Sequence, residues 1–409
     1  MNQRLLHKTI ESFNSKEFNS TEELLTHVIH QIVANDRIEL KGGRVWKLDR
    51  AKFSYELLAQ AGAVEKIKNK FSIKIDDYRM FKQLPLHRTI IAKETNVYLR
   101  SKGINKFSAT GVGEVVTVKG VDLFRYVLSF NTDLSYEEVS PTLNIISIAV
   151  TSMLKNRSIE RTSAQLQKDL DKASEIQRSI LPAHELQFHN YEMFGISLAD
   201  RIVGGDFFDY IVSEEDDRVG IVIGDAASKG ISAAVQALYV SGALRMGASY
   251  QTKISNLIRN INVLVHHAFS DDRFLTMFYC ELINDKHGLC VYVNAGHCSP
   301  IVFRAATNTT ELLDATGNIV GPFPDQTYRS EGIMLAKEDV MLLYTDGVSE
   351  AMDAEGNQYG EKRLTNKLTE LKNESSKNIA RKIIEDIQIY NSKGKYSDDK
   401  TIVVVKRAK

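Results

Sequence analysis

The chain has 409 residues, 43% hydrophobic and 25% charged, proportions of an ordinary folded protein, and its length predicts two or three domains. Its formal net charge is zero, which removes any general electrostatic reason to expect nucleic acid or an anionic membrane as partner. The three cysteines, Cys280, Cys290 and Cys298, have no Cys-x-x-Cys spacing and no even-numbered framework, so they suit a reducing compartment and give no support for a zinc site.

The first residues, Met-Asn-Gln-Arg-Leu-Leu-His-Lys, lack an apolar signal core. No run reaches the roughly 18 apolar residues of a membrane span. The longest candidate, Leu143 to Leu154, is short and broken by Ser and Thr. A cytoplasmic location is expected. Residues 1–154 read as a separate α/β domain. Glu22 to Ala34 carries Leu24, Leu25, Val28, Ile29 and Ile32 at helical spacing, with Ser20 or Thr21 as cap. Short apolar or alternating runs follow at Gly43–Leu48, Ser54–Leu58, Gly113–Val118 and Leu123–Ser129. A long helix from about Ser140 closes the domain.

Asn156 to Ile180 contains neither Gly nor Pro. Ile159, Leu166, Leu170, Ala173, Ile176 and Ile180 recur at intervals that predict a signalling helix able to pair with its copy, over a linker of 155–181. The seam is weak at Thr162 and Gln177, so a helix lying on its own domain is the alternative. Pro182 stops the helix.

A mixed domain fills 182–409. Strands are predicted at 191–198, 219–224, 275–283, 289–294, 300–304, 339–344 and 401–406, and helices at 231–247, 253–268, 361–373 and 377–391. Adjacent strand pairs favour antiparallel hairpins, and two stacked sheets with helices outside would use these elements.

Aspartates punctuate this domain. Val219–Asp225 and Val340–Asp346 are apolar strands ending in a carboxylate and a turn. Gly204-Gly205-Asp206-Phe-Phe-Asp209 reads as a glycine turn bearing two more, and Asp398-Asp399 precedes the last strand. An aspartate before glycine is most often a turn residue. Several at the ends of strands form a pattern of another kind. Carboxylates without His or Cys neighbours select Mg²⁺ or Mn²⁺, and two such ions sharing a carboxylate can deprotonate a bridging water for direct attack on phosphorus.

The pieces Ile180-Leu-Pro182, Arg201–Asp209, Gly224-Asp-Ala-Ala-Ser-Lys-Gly230, Asn294-Ala-Gly-His297, Leu343–Ala351 (continuing through Gly356, Tyr359-Gly360 and Arg363-Leu364) and Asp398-Asp-Lys-Thr401 occur in order. Together they resemble the metal-dependent protein serine/threonine phosphatase (PPM) family in its SpoIIE/RsbU-like branch. The order of elements before them resembles a GAF sensory domain. Asn105-Lys106-Phe107 is similar to part of the motif of cyclic-nucleotide-binding GAF domains, though the acidic pair that should follow is not evident.

The resemblance implies an α+β chain: a GAF-like α/β sensor, a helical linker, and a C-terminal α-β-β-α phosphatase sandwich holding two Mn²⁺ or Mg²⁺ ions. It implies that Asp225 bridges both ions and that Ala226 offers its backbone carbonyl. Asp206 would ligate one ion, and Asp346 with Asp398 the other. Arg201 would bind substrate phosphate, with Asp209, Asp399 and His297 in structural roles. The implied substrate is a phosphoserine or phosphothreonine on a regulatory protein, such as an anti-sigma-factor antagonist. The chain would act as a homodimer answering a small-molecule or protein signal, without nucleic acid or membrane. One departure stands in the turn after Asp225, where the family usually has glycine and this chain has Ser228. If that position needs positive φ, the metal turn is distorted.

Two rivals compete. A catalytically silent binding module keeps the fold without turnover. His297-Cys298-x₅-Arg304 literally matches the signature of cysteine-dependent phosphatases, but Pro300, the lack of glycine and the buried-strand character of Ile301–Phe303 oppose it.

Overall fold

The computed structural model describes residues 18–34, 40, 42–62, 65–93, 97–102, 104, 106–131, 133–200, 202–250, 253–270, 272–392, 394 and 398–408. Arg201 and Asn105 lie outside them. The chain forms two compact units, Met1–Gln165 and Leu166–Lys409.

The first unit is built on one antiparallel sheet. Its strands are β1 (Gly42–Asp49), β2 (Ser54–Gly62), β3 (Ser72–Lys74), β4 (Thr89–Ala92), β5 (Phe107–Val118) and β6 (Val121–Asn131), in the order β3-β2-β1-β6-β5-β4. The two-residue side-chain period splits each strand between two cores. Val45, Tyr126, Leu128 and Phe130 pack with helix α1 (Thr21–Val33) and with Val139, Leu143 and Ile146 of the closing helix. Trp46, Leu48, Phe124 and Val127 face the other way, toward a 3-10 turn (Arg79–Gln83) and helices α2 (Leu84–His87) and α3 (Val97–Ser101). Ser20 caps α1 by accepting from the Glu23 N–H at 3.0 Å, as its position predicts.

The closing helix and the linker are one element, α4 (Tyr136–Ile180), 45 residues long. It begins earlier than Ser140, before Pro141, because the Glu138 carboxylate accepts from the Ser135 N–H at 2.7 Å and secures the first turn. Proline so near the start removes few helical bonds. Ile159, Leu166 and Ile176 are exposed along it.

The second unit has two sheets. One contains β9 (Phe207–Val212), β10 (Arg218–Ala226), β11 (Leu275–Ile283), β12 (Leu289–Ala295) and β15 (Glu331–Met334). The other contains β7 (Glu185–Phe188), β8 (Tyr191–Leu198), β13 (Ile301–Arg304), β14 (Thr309–Leu312), β16 (Val340–Tyr344) and β17 (Lys400–Arg407). Alternation decides the layers. Ile221, Ile223, Phe278, Met341, Leu343, Val403 and Val405 share the core between the sheets. Val222, Met277 and Tyr279 face outward to α5 (Ile231–Ala248) and α6 (Ile254–Ala268). Leu342, Tyr344, Ile402 and Val404 face α8 (Gly360–Leu371) and α9 (Ser376–Tyr390), which follow the short α7 (Asp346–Ser349). This is the expected α-β-β-α sandwich.

The main departure is β9. Phe207–Val212 pairs with β10 from Phe207↔Gly224 to Val212↔Val219, so Asp209 sits within a strand and only Asp206 stands at its mouth. Strands β7, β14 and β15, each four residues long, also lie outside the predicted set. Among the described residues, no helix is long and apolar enough to cross a membrane.

Candidate active site

Two antiparallel pairings gather the aspartates. β9 starts where β10 ends, so Asp206 precedes a strand whose first residue pairs with Gly224, beside Asp225. On the other sheet β16 ends where β17 starts, with Tyr344 opposite Ile402, and this places Asp346 near Asp398. A buried threonine ties the two sheets together here. Thr345 Oγ1 donates to Asp206 Oδ2 at 2.7 Å and accepts from the Thr401 N–H at 3.0 Å.

The turn before Asp206 is held from two sides. Asp399 accepts from the Gly205 N–H at 2.6 Å and from the Asp200 N–H at 2.8 Å. The Gln177 side chain of α4 donates to the Gly204 carbonyl at 2.8 Å and accepts from the Gly204 N–H at 3.3 Å. Gln177, a weak place in the heptad seam, is buried at this contact. The glycines are required by close approach. A Cβ at Gly204 would come within 2.6 Å of the Asp399 carboxylate, and one at Gly205 within 2.9 Å of Ala233 and 3.1 Å of the Ala226 carbonyl oxygen.

Charge is poorly balanced at this edge. Asp206 is driven well above the usual carboxylate range by burial and by the neighbouring Asp225. Asp225 is pushed up to about 7 by burial and by the charges of Asp346, Asp398 and Asp399. Asp346 is raised by burial, Glu350 and Asp398. Among the described residues, Lys229 brings a cation to it, with Nζ 2.8 Å from Asp398 Oδ2.

The donor set is all oxygen, with the Ala226 carbonyl close under Gly205, and its chemistry fits a hard divalent ion. Among the described residues, no three His, Cys, Asp or Glu side chains stand close enough to grip one as arranged here. Ser228 is absent from the residues with positive φ; the left-handed position of the turn is Gly230, at φ 71°. The condition for strain at Ser228 is therefore not met, because glycine already occupies the residue that takes positive φ.

The thiolate alternative fails on geometry. Burial and the charge of Asp346 push the Cys298 thiol up to about 12, so no nucleophilic thiolate forms near neutral pH. Arg304 lies at the end of β13 and is taken up by Asp339, at 2.7 Å, and Glu311. His297 is buried and pushed down to about 4 by desolvation, with Nδ1 2.8 Å from Thr276 Oγ1.

Among known proteins, the family model described as Stage II sporulation protein E (SpoIIE) matches residues 215–408. These residues form a SpoIIE-type PPM phosphatase domain. Phosphoserine phosphatase RsbU of Bacillus subtilis (strain 168) is 26% identical over 253 residues, 62% of this chain and 74% of that protein. Phosphoserine phosphatase RsbP of the same organism is 25% identical over 246 residues, 58% of this chain but only 57% of its own length. The SiaA-PP2C domain of Pseudomonas aeruginosa superposes on 60% of this chain and 98% of that domain, with 20% identity and a TM-score of 0.53, so the likeness there is one of fold. Within the matched residues, Asp225, Asp346, Asp398 and Asp399 stand where the two sheets end together, and Asp206 joins them from just before the match.

Sequence reasoning missed Thr345, Arg245 and the role of Gln177. Thr345 stands next to Asp346 within a quoted motif, and a polar residue inside an apolar seam was the available sign for Gln177.

Proposed function

We propose that the chain is a metal-dependent protein phosphatase that hydrolyses phosphoserine or phosphothreonine on a regulatory protein under control of its N-terminal unit. The observation that supports this best is the group Asp206, Asp225 and Asp346, carboxylates driven upward by burial and by one another at a shared sheet edge. Asp206, Asp225, Asp346 and Asp398, with the Ala226 carbonyl, would hold two Mn²⁺ or Mg²⁺ ions. Bound there, the ions supply a water deprotonated near neutral pH and a Lewis acid for the phosphoryl oxygen.

The chain's own groups do the positioning. Thr345 orients Asp206 across the two sheets, and Asp399 and Gln177 hold the turn behind it. Arg201 would clamp the phosphate dianion through its two-pronged guanidinium. A small phosphorylated regulator, such as an anti-sigma-factor antagonist, is the proposed substrate on the strength of likeness to RsbU. Ile159, Leu166, Ala173 and Ile180 recur every seventh residue, three of them exposed, and support pairing of α4 with its copy in a homodimer.

The silent-module reading draws support from the Lys229–Asp398 ion pair, which puts a fixed cation on a proposed ligand. The deciding experiment is hydrolysis of a phosphoserine peptide and of a generic phosphate ester by the full chain, with Mn²⁺ and with EDTA. Turnover that requires metal, and falls by more than about 100-fold in Asp225→Asn and Asp346→Asn, is expected. Turnover indifferent to EDTA would sink the metal mechanism. Mn²⁺ binding without turnover would favour the silent module.

A further inference from the structure

A glycine opens a second cavity in the C-terminal unit, away from the aspartates. The side-chain period puts Arg218, Gly220 and Val222 of β10 on the face turned to α5, with Tyr279 and Glu281 of β11 beside them. Gly220 pairs with Glu281 on one side and with Ile211 of β9 on the other, so a position without a side chain lies in the middle of three strands. A Cβ there would come within 2.5 Å of the Tyr279 hydroxyl. With the end of α5 as its other wall, the space measures about 800 Å³ out to the mouth, within the range of small-molecule sites, and water enters about 270 Å³ of it. Gly220 stands five residues from Asp225 along β10, roughly 16 Å at the rise of a strand.

The walls carry charges of both signs. Arg218 and Glu281 are half-buried, diagonal neighbours on adjacent strands. Arg218 attracts Glu281 from beyond ion-pair reach, and among the described residues neither is joined to an opposite charge by an ion pair. Tyr279 donates to Glu281 Oε1 at 3.2 Å and orients it. Arg245 also lines the space, but its guanidinium is taken up by Asp209. Glu214 and Glu215 complete the charged lining from exposed positions.

We propose that this cavity binds a free basic amino acid, its carboxylate on Arg218, its α-ammonium on Glu281 and its side-chain cation toward Glu214 and Glu215. A fixed cation and a fixed anion held apart on one sheet face match a ligand that carries both charges on one carbon. The planar guanidinium suits a carboxylate, and Glu281 accepts from an ammonium. Three wall carboxylates against one uncommitted guanidinium favour a ligand of net positive charge over a neutral or acidic one. Binding here does not depend on the metal chemistry proposed above.

Calorimetry of the full chain in EDTA tests this with L-lysine and three analogues that each lack one charge: Nα-acetyl-lysine, lysinamide and norleucine. L-Lysine is expected to bind about 10-fold or more tightly than the first two, the ratio set by a charge-assisted hydrogen bond. Its advantage over norleucine should be smaller, about 3-fold, because Glu214 and Glu215 are exposed. Lysinamide also separates this site from the aspartate cluster, which would prefer the more cationic ligand. Glu281→Gln should weaken L-lysine about 10-fold, and Arg218→Gln should erase the preference over lysinamide. No binding of L-lysine at millimolar concentration, or lysinamide and Nα-acetyl-lysine binding as tightly as L-lysine, would overturn the proposal. That comparison uses the unaltered protein, so it decides even if a variant does not fold.

Discussion

Asp206 and Asp209 lie three residues apart, both are almost wholly buried, and their surroundings are opposite. Asp209 accepts from Arg245 through both oxygens, at Nε and, at 3.0 Å, from Nη2. The same guanidinium reaches the Ile180 carbonyl at 3.2 Å, so this ion pair fastens β9, α5 and the end of α4. Asp206 has a threonine hydroxyl on one side and Asp225 on the other. A buried charge with its counter-charge is construction. A buried charge without one is a place where something else must bring the opposite sign. Among the described residues, Arg44 in the N-terminal unit shows the same imbalance with the sign reversed.

The contrast can be broken most forcefully at the paired carboxylate. Arg245→Met should lower stability by roughly 1–3 kcal/mol in chemical denaturation, because the buried Asp209 loses its counter-charge while the half-exposed Arg245 is screened by solvent. Adding Asp209→Asn should restore much of the loss. Equal losses in the single and double variants would show that Arg245 acts through packing alone.

At the unpaired site the sign inverts. The folded-state pKa of Asp225 lies above its unfolded value, so proton binding favours the folded protein. That contribution is complete below about pH 4 and is lost as pH rises through about 7. Asp225→Asn should therefore stabilise the EDTA-treated protein at pH 8, on the order of 2–3 kcal/mol, and flatten the fall in stability between pH 5 and 8. A thermal-melt series across that range checks it; an unchanged slope would contradict the repulsion.

Gln177 sharpens the comparison from the supporting side. Gln177→Leu removes both bonds to Gly204 and leaves its buried backbone groups unsatisfied, at a cost of about 1–2 kcal/mol. Under the proposed function it should also weaken Mn²⁺ binding by roughly 10-fold, since the turn it holds carries Asp206. Calorimetry of Mn²⁺ binding separates that positioning role from a merely structural one. The smallest change belongs to Cys298→Ser, expected to move stability by under about 1 kcal/mol and turnover by less than about 2-fold. Complete loss of turnover in a folded Cys298→Ser protein would revive the thiolate.

Periodicity carried the C-terminal unit well. β8 and β11 have the predicted limits, and the four predicted helices agree with α5, α6, α8 and α9 to within two residues. It failed at β9, where Gly204-Gly205 and two aspartates advertise a turn. The strand exists because Phe207 and Phe208 face opposite cores, and because Arg245, distant in sequence, neutralises Asp209 inside it. The question at Ser228 stayed open in the sequence for a related reason: which residue of a turn takes positive φ depends on the closed backbone, and that residue is Gly230.

By itself the sequence determined the elements with a repeating apolar pattern, the layered architecture they build, and the aspartates at strand ends, since side-chain period and turn chemistry act over a few neighbouring residues. Only the tertiary structure decided which charges are paired. Asp209 finds Arg245, Asp399 finds Gly205, Gln177 finds Gly204, and Arg44 finds, among the described residues, neutral amides. A buried charge depends on partners brought from across the chain, and those partners meet only once the sheets have closed.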